Sequence, residues 1–213
     1  MKLADMQVTQ FCDVLASDAP APGGGSTAAL EGALGAALTA MVCGLTTVGK
    51  SREKYAEYQE FVLASQKKAL DLKARFMDVM DRDTEAFNVV SAAFGMPKAT
   101  DEEKAARSAA IQEATKFAAL VPMQVARNAY ELMTVIMDVA RLGNRNAVTD
   151  ACVAMMSARS AVLGALMNVR INLGSLKDKE FVAKLQAEAC ELERLACAKE
   201  KELLDEINEE LKV

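Results

Sequence analysis

The stretch Ala19-Pro20-Ala21-Pro22-Gly23-Gly24-Gly25-Ser26 leads straight into an apolar run from Thr27 to Val48, and this pairing leaves the chain few ways to fold. Two prolines stiffen the approach, and three glycines strip the turn of side chains. Ser26 or Thr27 is expected to cap a helix whose free amides offer a seat for an anion. Glu31 is the only charge in the run. Ala28, Gly32, Ala36, Ala40 and Gly44 recur every fourth residue, giving one smooth face that admits a neighbouring backbone. A helix apolar all round is a buried helix. A glycine turn before an ordinary core helix would look much the same. A membrane span of roughly 20 residues also matches the length, but Glu31 and the shortage of large aliphatics argue against it, and no second span is expected.

The rest of the chain reads as helix. Val8, Phe11, Val14 and Leu15 share a face of a short first helix ending near Asp18. Ser51 opens a segment without Gly or Pro as far as Gly95, with Leu72, Phe76, Val79, Met80, Phe87, Val90 and Phe94 spaced by three and four. Thr100-Asp101-Glu102-Glu103 is a capping box for a helix to about Leu120, and Pro122 suits the first turn of another. Gly143 stops that one, and Thr149 or Asp150 starts a helix to about Leu173. Asp178 caps a last, highly charged helix with Phe181, Leu185, Leu192, Leu203 and Ile207 inward. No period of two persists. The expected fold is all-α: one domain over residues 1–213, a bundle of long antiparallel helices around the buried small-residue helix. So much apolar helix surface predicts a dimer.

Composition narrows the chemistry. Histidine is absent, which removes Ser-His and Cys-His catalysis and the commonest zinc ligand. Acid–base work falls to Asp, Glu, Lys, Tyr or Cys. Five scattered cysteines without a C-x-x-C pair fit free thiols in a reducing cytoplasm, with Cys190 and Cys197 read as core. A net charge of -5 with dispersed basic residues argues against a nucleic-acid surface. The N-terminus lacks the pattern of a secretory signal.

Asp83 is the most informative single residue, because it falls in line with the apolar stripe of its helix. It is a general base, a counter-ion for a cationic substrate, or half of a structural ion pair. Lys98 and Arg107 follow near the next turn, and both also read as solvated surface residues. Asp83 stands about 18 Å below that turn on a straight helix, so Lys98 reaches it only if the turn folds back. Asn144, Asn146 and Asp150 mark a second polar turn, whose amides either cap the turn or hold a flat heterocycle. Asn168 and Asn172, about 27 Å from Asp150 along the axis, read as interhelical hydrogen bonders.

Taken in order, Ala21-Pro22-Gly23-Gly24-Gly25-Ser26, the small-residue run to Met41, Lys54-Tyr55, Asp83-Thr84-Glu85-Ala86-Phe87, Met96-Pro97-Lys98, Glu103 with Arg107, Gly143-Asn144-Arg145-Asn146 with Asp150, and Asn168 to Leu173 resemble the cyclodeaminase/cyclohydrolase family of folate enzymes. The resemblance covers nearly the whole chain. It implies an all-helical dimer doing one-carbon chemistry on tetrahydrofolate, without metal or redox cofactor. The implied reactions are hydrolysis of 5,10-methenyltetrahydrofolate to 10-formyltetrahydrofolate, and closure of 5-formiminotetrahydrofolate to the methenyl compound with loss of ammonia. The resemblance casts Asp83 as base or counter-ion and Lys98 as acid or electrostatic partner. Gly24, Gly25, Ser26, Asn144, Asn146 and Asp150 would then hold the substrate, with Arg107 on a glutamate carboxylate. A non-catalytic helical scaffold or folate-binding domain is the alternative.

Overall fold

A computed structural model describes residues 2–212. Helix α2 (Gly24–Thr47) packs between α4 (Gln59–Phe94) and α6 (Val148–Leu173), with α5 (Asp101–Leu142) across from it. Those four run up, down, up and down, closing a ring in which each neighbour is antiparallel. Helix α7 (Lys179–Glu210) lies along the outside of α5 and α6. The short helices α1 (Val8–Leu15) and α3 (Gly49–Lys54) complete seven α-helices, and no strand occurs among the described residues. The bundle is all-α as expected, but α2 is one of its four ring helices and keeps an exposed face at Leu34, Met41 and Leu45 rather than being buried all round.

The small residues of α2 do the work expected of them, toward both flanks. A Cβ on Gly32 would lie 2.6 Å from the ring of Phe76, which is fully buried. One on Gly35 would lie 3.0 Å from the Ala154 carbonyl of α6. Ala28 meets Gly164 from the α6 side, and Gln66 of α4 donates to the Ala40 carbonyl at 3.2 Å. Side chains of ordinary size would push these helices apart and open voids in a core that packs to crystal-like density. Gly49 takes a left-handed φ of 55°, which favours glycine, and so lets the chain turn from α2 into α3.

Several boundaries differ from those read off the sequence. The helix expected from Ser51 begins at Gln59, because α3 and a 3-10 turn (Ala56–Tyr58) occupy the interval. The first helix ends at Leu15 rather than near Asp18. The two helices expected on either side of Pro122 are a single α5 of 42 residues with the proline buried inside. Proline inside a helix orphans the carbonyl four residues back. Here that carbonyl belongs to Ala118, and the Asn172 amide nitrogen donates to it at 3.0 Å. A distant side chain thus repairs what the local rule says must break. The capping box at Thr100 and Glu103 stands as expected, with Thr100 N–H donating to Glu103 Oε2 at 3.2 Å and Glu103 N–H to Thr100 Oγ1 at 3.2 Å. The Asp178 cap stands as well.

Cys190 and Cys197 are exposed, since the buried stripe of α7 runs one position away through Leu185, Ala189, Ala196, Leu203 and Ile207. By length and composition a second segment, Arg145–Leu173, joins α2 as apolar enough to cross a membrane, contrary to the expectation of none. In the bundle both are half or more buried against other helices.

Candidate active site

The N-terminus of α2 sets the site. Its N-cap is Gly23, so Ser26 lies inside the first turn and does not cap it. Thr27 turns its hydroxyl back to the Gly23 carbonyl at 2.9 Å. Ser26, with no exposed surface, donates its hydroxyl to Asp83 Oδ2 at 2.9 Å, and its backbone N–H also faces that carboxylate. The anion seated on the free amides of α2 is therefore the chain's own Asp83, projected from α4. Gly25 makes this possible, because a Cβ there would lie 2.2 Å from Asp83 Oδ1. Burial pushes the Asp83 carboxyl above the usual carboxylate range, while the Ser26 hydroxyl and N–H pull it partly back.

Around this carboxylate is a cavity of about 350 Å³, large enough for one bicyclic ring system. The Pro20–Gly25 loop and Asp83 form one wall, with the Ala21–Pro22 peptide cis. Ala86, Phe87 and Val90 of α4 and Ala118 of α5 supply apolar surface. Asn168, Ile171 and Asn172 of α6 close the remaining side. Phe87, expected in the core, is 42% exposed because it edges this opening. Phe94 is likewise exposed, near the end of α4.

Of the residues singled out in the sequence, Gly24, Gly25, Ser26 and Asp83 come together here. Lys98 lies in the α4–α5 turn, beyond the end of α4 and so more than about 16 Å along that helix from Asp83. Arg107 donates from Nε and Nη2 to the Phe94 carbonyl at 3.2 and 3.0 Å, and stacks on the Phe94 ring. It ties off the C-terminus of α4.

Asn144, Asn146 and Asp150 occupy the opposite end of the bundle. Asn144 donates from Nδ2 to the Leu45 carbonyl at 3.1 Å and accepts from the Asn146 N–H at 3.0 Å. Its own N–H donates to Thr46 at 2.9 Å, while the Arg145 N–H donates to the Tyr55 hydroxyl at 3.0 Å. The turn therefore sits at the C-terminus of α2, about 30 Å from Gly25 along that helix. Asn168 and Asn172 were read as interhelical hydrogen bonders; Asn172 does reach Ala118 of α5, whereas Asn168 bonds only Gly164 of its own helix, and both line the Asp83 cavity. Their spacing of one helical turn was visible in the sequence. What was not visible is that α6 runs antiparallel to α2, which brings its last turns beside Gly24.

A desolvated carboxylate on a helix N-terminus, in a cavity with no other ionisable lining group, has the chemistry to transfer a proton to, or balance the charge of, a small neutral or cationic ligand. The comparisons with known proteins agree with the sequence motifs. Residues 7–191 match the family model described as formiminotransferase-cyclodeaminase. A methenyltetrahydrofolate cyclohydrolase from Methylorubrum extorquens is 44% identical over 174 residues, 82% of each chain. A formimidoyltransferase-cyclodeaminase from Rattus norvegicus is 34% identical over 85% of this chain, which spans only 33% of that longer protein. The crystal structure of a formiminotetrahydrofolate cyclodeaminase from Thermotoga maritima superposes with a TM-score of 0.83 at 27% identity, covering 95% of this chain and 98% of that one. The chain belongs to the formiminotransferase-cyclodeaminase family, and it is an enzyme of its cyclodeaminase/cyclohydrolase type.

Proposed function

We propose that this protein is a cytoplasmic tetrahydrofolate one-carbon enzyme that hydrolyses 5,10-methenyltetrahydrofolate to 10-formyltetrahydrofolate. The observation that carries the reading is the Asp83 carboxylate, half-buried and bound to Ser26, at the mouth of a cavity otherwise lined by neutral groups. The methenyl bridge is an amidinium-like cation, and a lone desolvated carboxylate is its natural counter-ion. Water adds to the bridge carbon while Asp83 takes its proton, giving a tetrahedral carbon between N5 and N10. The remaining O–H proton leaves as the carbonyl forms, the C–N5 bond breaks, and Asp83 returns its proton to N5. The balance is one water consumed and one proton released. The bridge carbon does not change oxidation state, so the reaction needs no redox cofactor, and no step calls for a metal.

A second reading is favoured by the structural likeness to the Thermotoga protein. In it, N10 attacks the formimino carbon, Asp83 relays the N10 proton toward the departing nitrogen, and ammonia leaves as one proton is taken up. The upward shift of the Asp83 carboxyl serves both reactions, because a group that gains and loses a proton in turnover works better as its pKa moves toward the operating pH. The test is optical. Purified protein is expected to speed decay of the near-ultraviolet band of 5,10-methenyltetrahydrofolate over a buffer blank. No acceleration by folded protein overturns the hydrolase reading. Appearance of the same band from 5-formiminotetrahydrofolate would then establish the deaminase.

The quaternary part of the proposal is a homodimer through the outer face of α2. Leu34, Met41 and Leu45 stand 54%, 41% and 43% exposed there, and α6 adds exposed Val153 and Met156. A two-fold axis across the middle of α2 makes the two copies of that helix antiparallel. The Asn144, Asn146 and Asp150 end of one subunit then lies beside the Gly24–Asp83 end of the other. That arrangement would reunite motifs that stand about 30 Å apart within one chain. Leu34→Glu is expected to yield a folded monomer by sedimentation, with turnover down more than about tenfold. A monomer with full turnover would rule out the shared site.

A further inference from the structure

Asn172 is held in an unusual way. Pro122 leaves the Ala118 carbonyl without a helical partner, and Asn172 Nδ2 donates to it at 3.0 Å and to the Asn168 carbonyl at 2.9 Å. Both amide hydrogens of Asn172 are thereby spent on main chain. Asn168 Nδ2 donates in turn to the Gly164 carbonyl at 2.9 Å. Asn172 is left with Oδ1 alone, an acceptor only, while Asn168 keeps Oδ1 and one N–H. Both residues line the cavity that holds Asp83. Asn168 lies against Gly24, and Asp83 against the adjacent Gly25.

We infer that Asn168 and Asn172 form an acceptor pair that selects the ligand by its N–H donors, and that Pro122 is the positioning residue that orients Asn172. Resting on the folate reading above, the donors are the 2-amino group and N3–H of the pterin ring. An acceptor oriented in advance recognises a donor without reorganising when the ligand arrives. The arrangement is costly as mere architecture. Proline in a helix interior is strongly unfavourable, and Asn is a poor helix former. Alanine at 122 would restore the missing N–H to the Ala118 carbonyl and leave Asn172 only its bond to the Asn168 carbonyl. A purely structural Asn172 would patch the proline and nothing more. The two roles separate in ligand discrimination, which patching does not affect.

The experiment compares binding of 5-formyltetrahydrofolate and its 2-desamino analogue. Wild-type protein is expected to prefer the amino ligand by about 30-fold or more, since a site built around a hydrogen bond rejects the ligand that lacks it. In Asn172→Ala and Asn168→Ala that preference should shrink to within about threefold, with KM rising more than kcat falls. Pro122→Ala keeps Asn172 but frees it from the Ala118 carbonyl. It should also weaken discrimination while remaining folded, which serves if the asparagine variants do not fold. Wild-type discrimination in these variants would overturn the assignment. Failure of wild-type protein to bind either ligand would instead overturn the folate reading and this inference with it.

Discussion

Asp83→Asn is expected to leave the bundle folded and to lower turnover by about 10²–10⁴-fold, the usual range for a positioned acid–base group. The amide keeps the size of the carboxyl and can still accept from Ser26, so the seat on α2 survives. It can neither carry a proton between water and N5 nor balance a cation. Stability should hold or rise. Burial raises the folded-state pKa of Asp83 above its unfolded value, so the native protein binds this proton more tightly. The contribution is favourable below the unfolded pKa and is lost as pH rises through the folded one. Once ionised, the buried carboxylate is therefore a strain on the fold that Asn relieves, and Tm is expected to be unchanged or a few degrees higher. For the same reason wild-type kcat/KM should fall on its acid limb at a higher pH than an ordinary carboxylate would give. Paired thermal melts and turnover measurements check both halves. Normal turnover in Asp83→Asn would end the mechanistic assignment.

Gly25→Ala is the second variant with a large expected effect, and its cause is steric. Alanine at the second position of α2 is favoured over glycine by up to about 1 kcal/mol in helix propensity, so α2 itself gains. Its methyl group would, however, sit 2.2 Å from Asp83 Oδ1 and 2.6 Å from Cγ. The carboxylate must leave the helix N-terminus, since the flexible side chain yields before the packed backbone does. A catalytic group displaced by about 1 Å costs on the order of 10²-fold. The expected result is turnover reduced about 10²-fold with Tm nearly unaltered. Gly24→Ala, which meets Asn168 Nδ2 at a milder 3.2 Å, should act mainly on KM. Wild-type turnover in Gly25→Ala would show that Asp83 need not rest on α2 at all.

Much of this protein follows from local rules. Helix periodicity, the capping box at Thr100 and the Asp178 cap depend only on residues a few positions apart, and they place most of the helices. The small-residue strip of α2 shows in its composition that other backbones come close. Asp83 stands out because a carboxylate in an apolar stripe must be paired or used. These features reside in near neighbours along the chain.

The remainder depended on which distant segments meet, and no local rule carries that. Pro122 reads as a helix boundary until Asn172, 50 positions later, supplies the missing donor. Asn168 and Asn172 join the site only because α6 runs back alongside α2. Arg107, a solvated surface residue by its position and a holder of a substrate carboxylate by the resemblance, donates to the Phe94 carbonyl at the end of α4. The anion site at the glycine loop was predictable from free helix amides, but its occupant was not. That the occupant is Asp83, 57 residues away in the chain, was decided by the antiparallel approach of α4 and the missing Cβ of Gly25. Helix formation is governed by interactions three or four residues apart, whereas a site is built from contacts whose partners only packing selects.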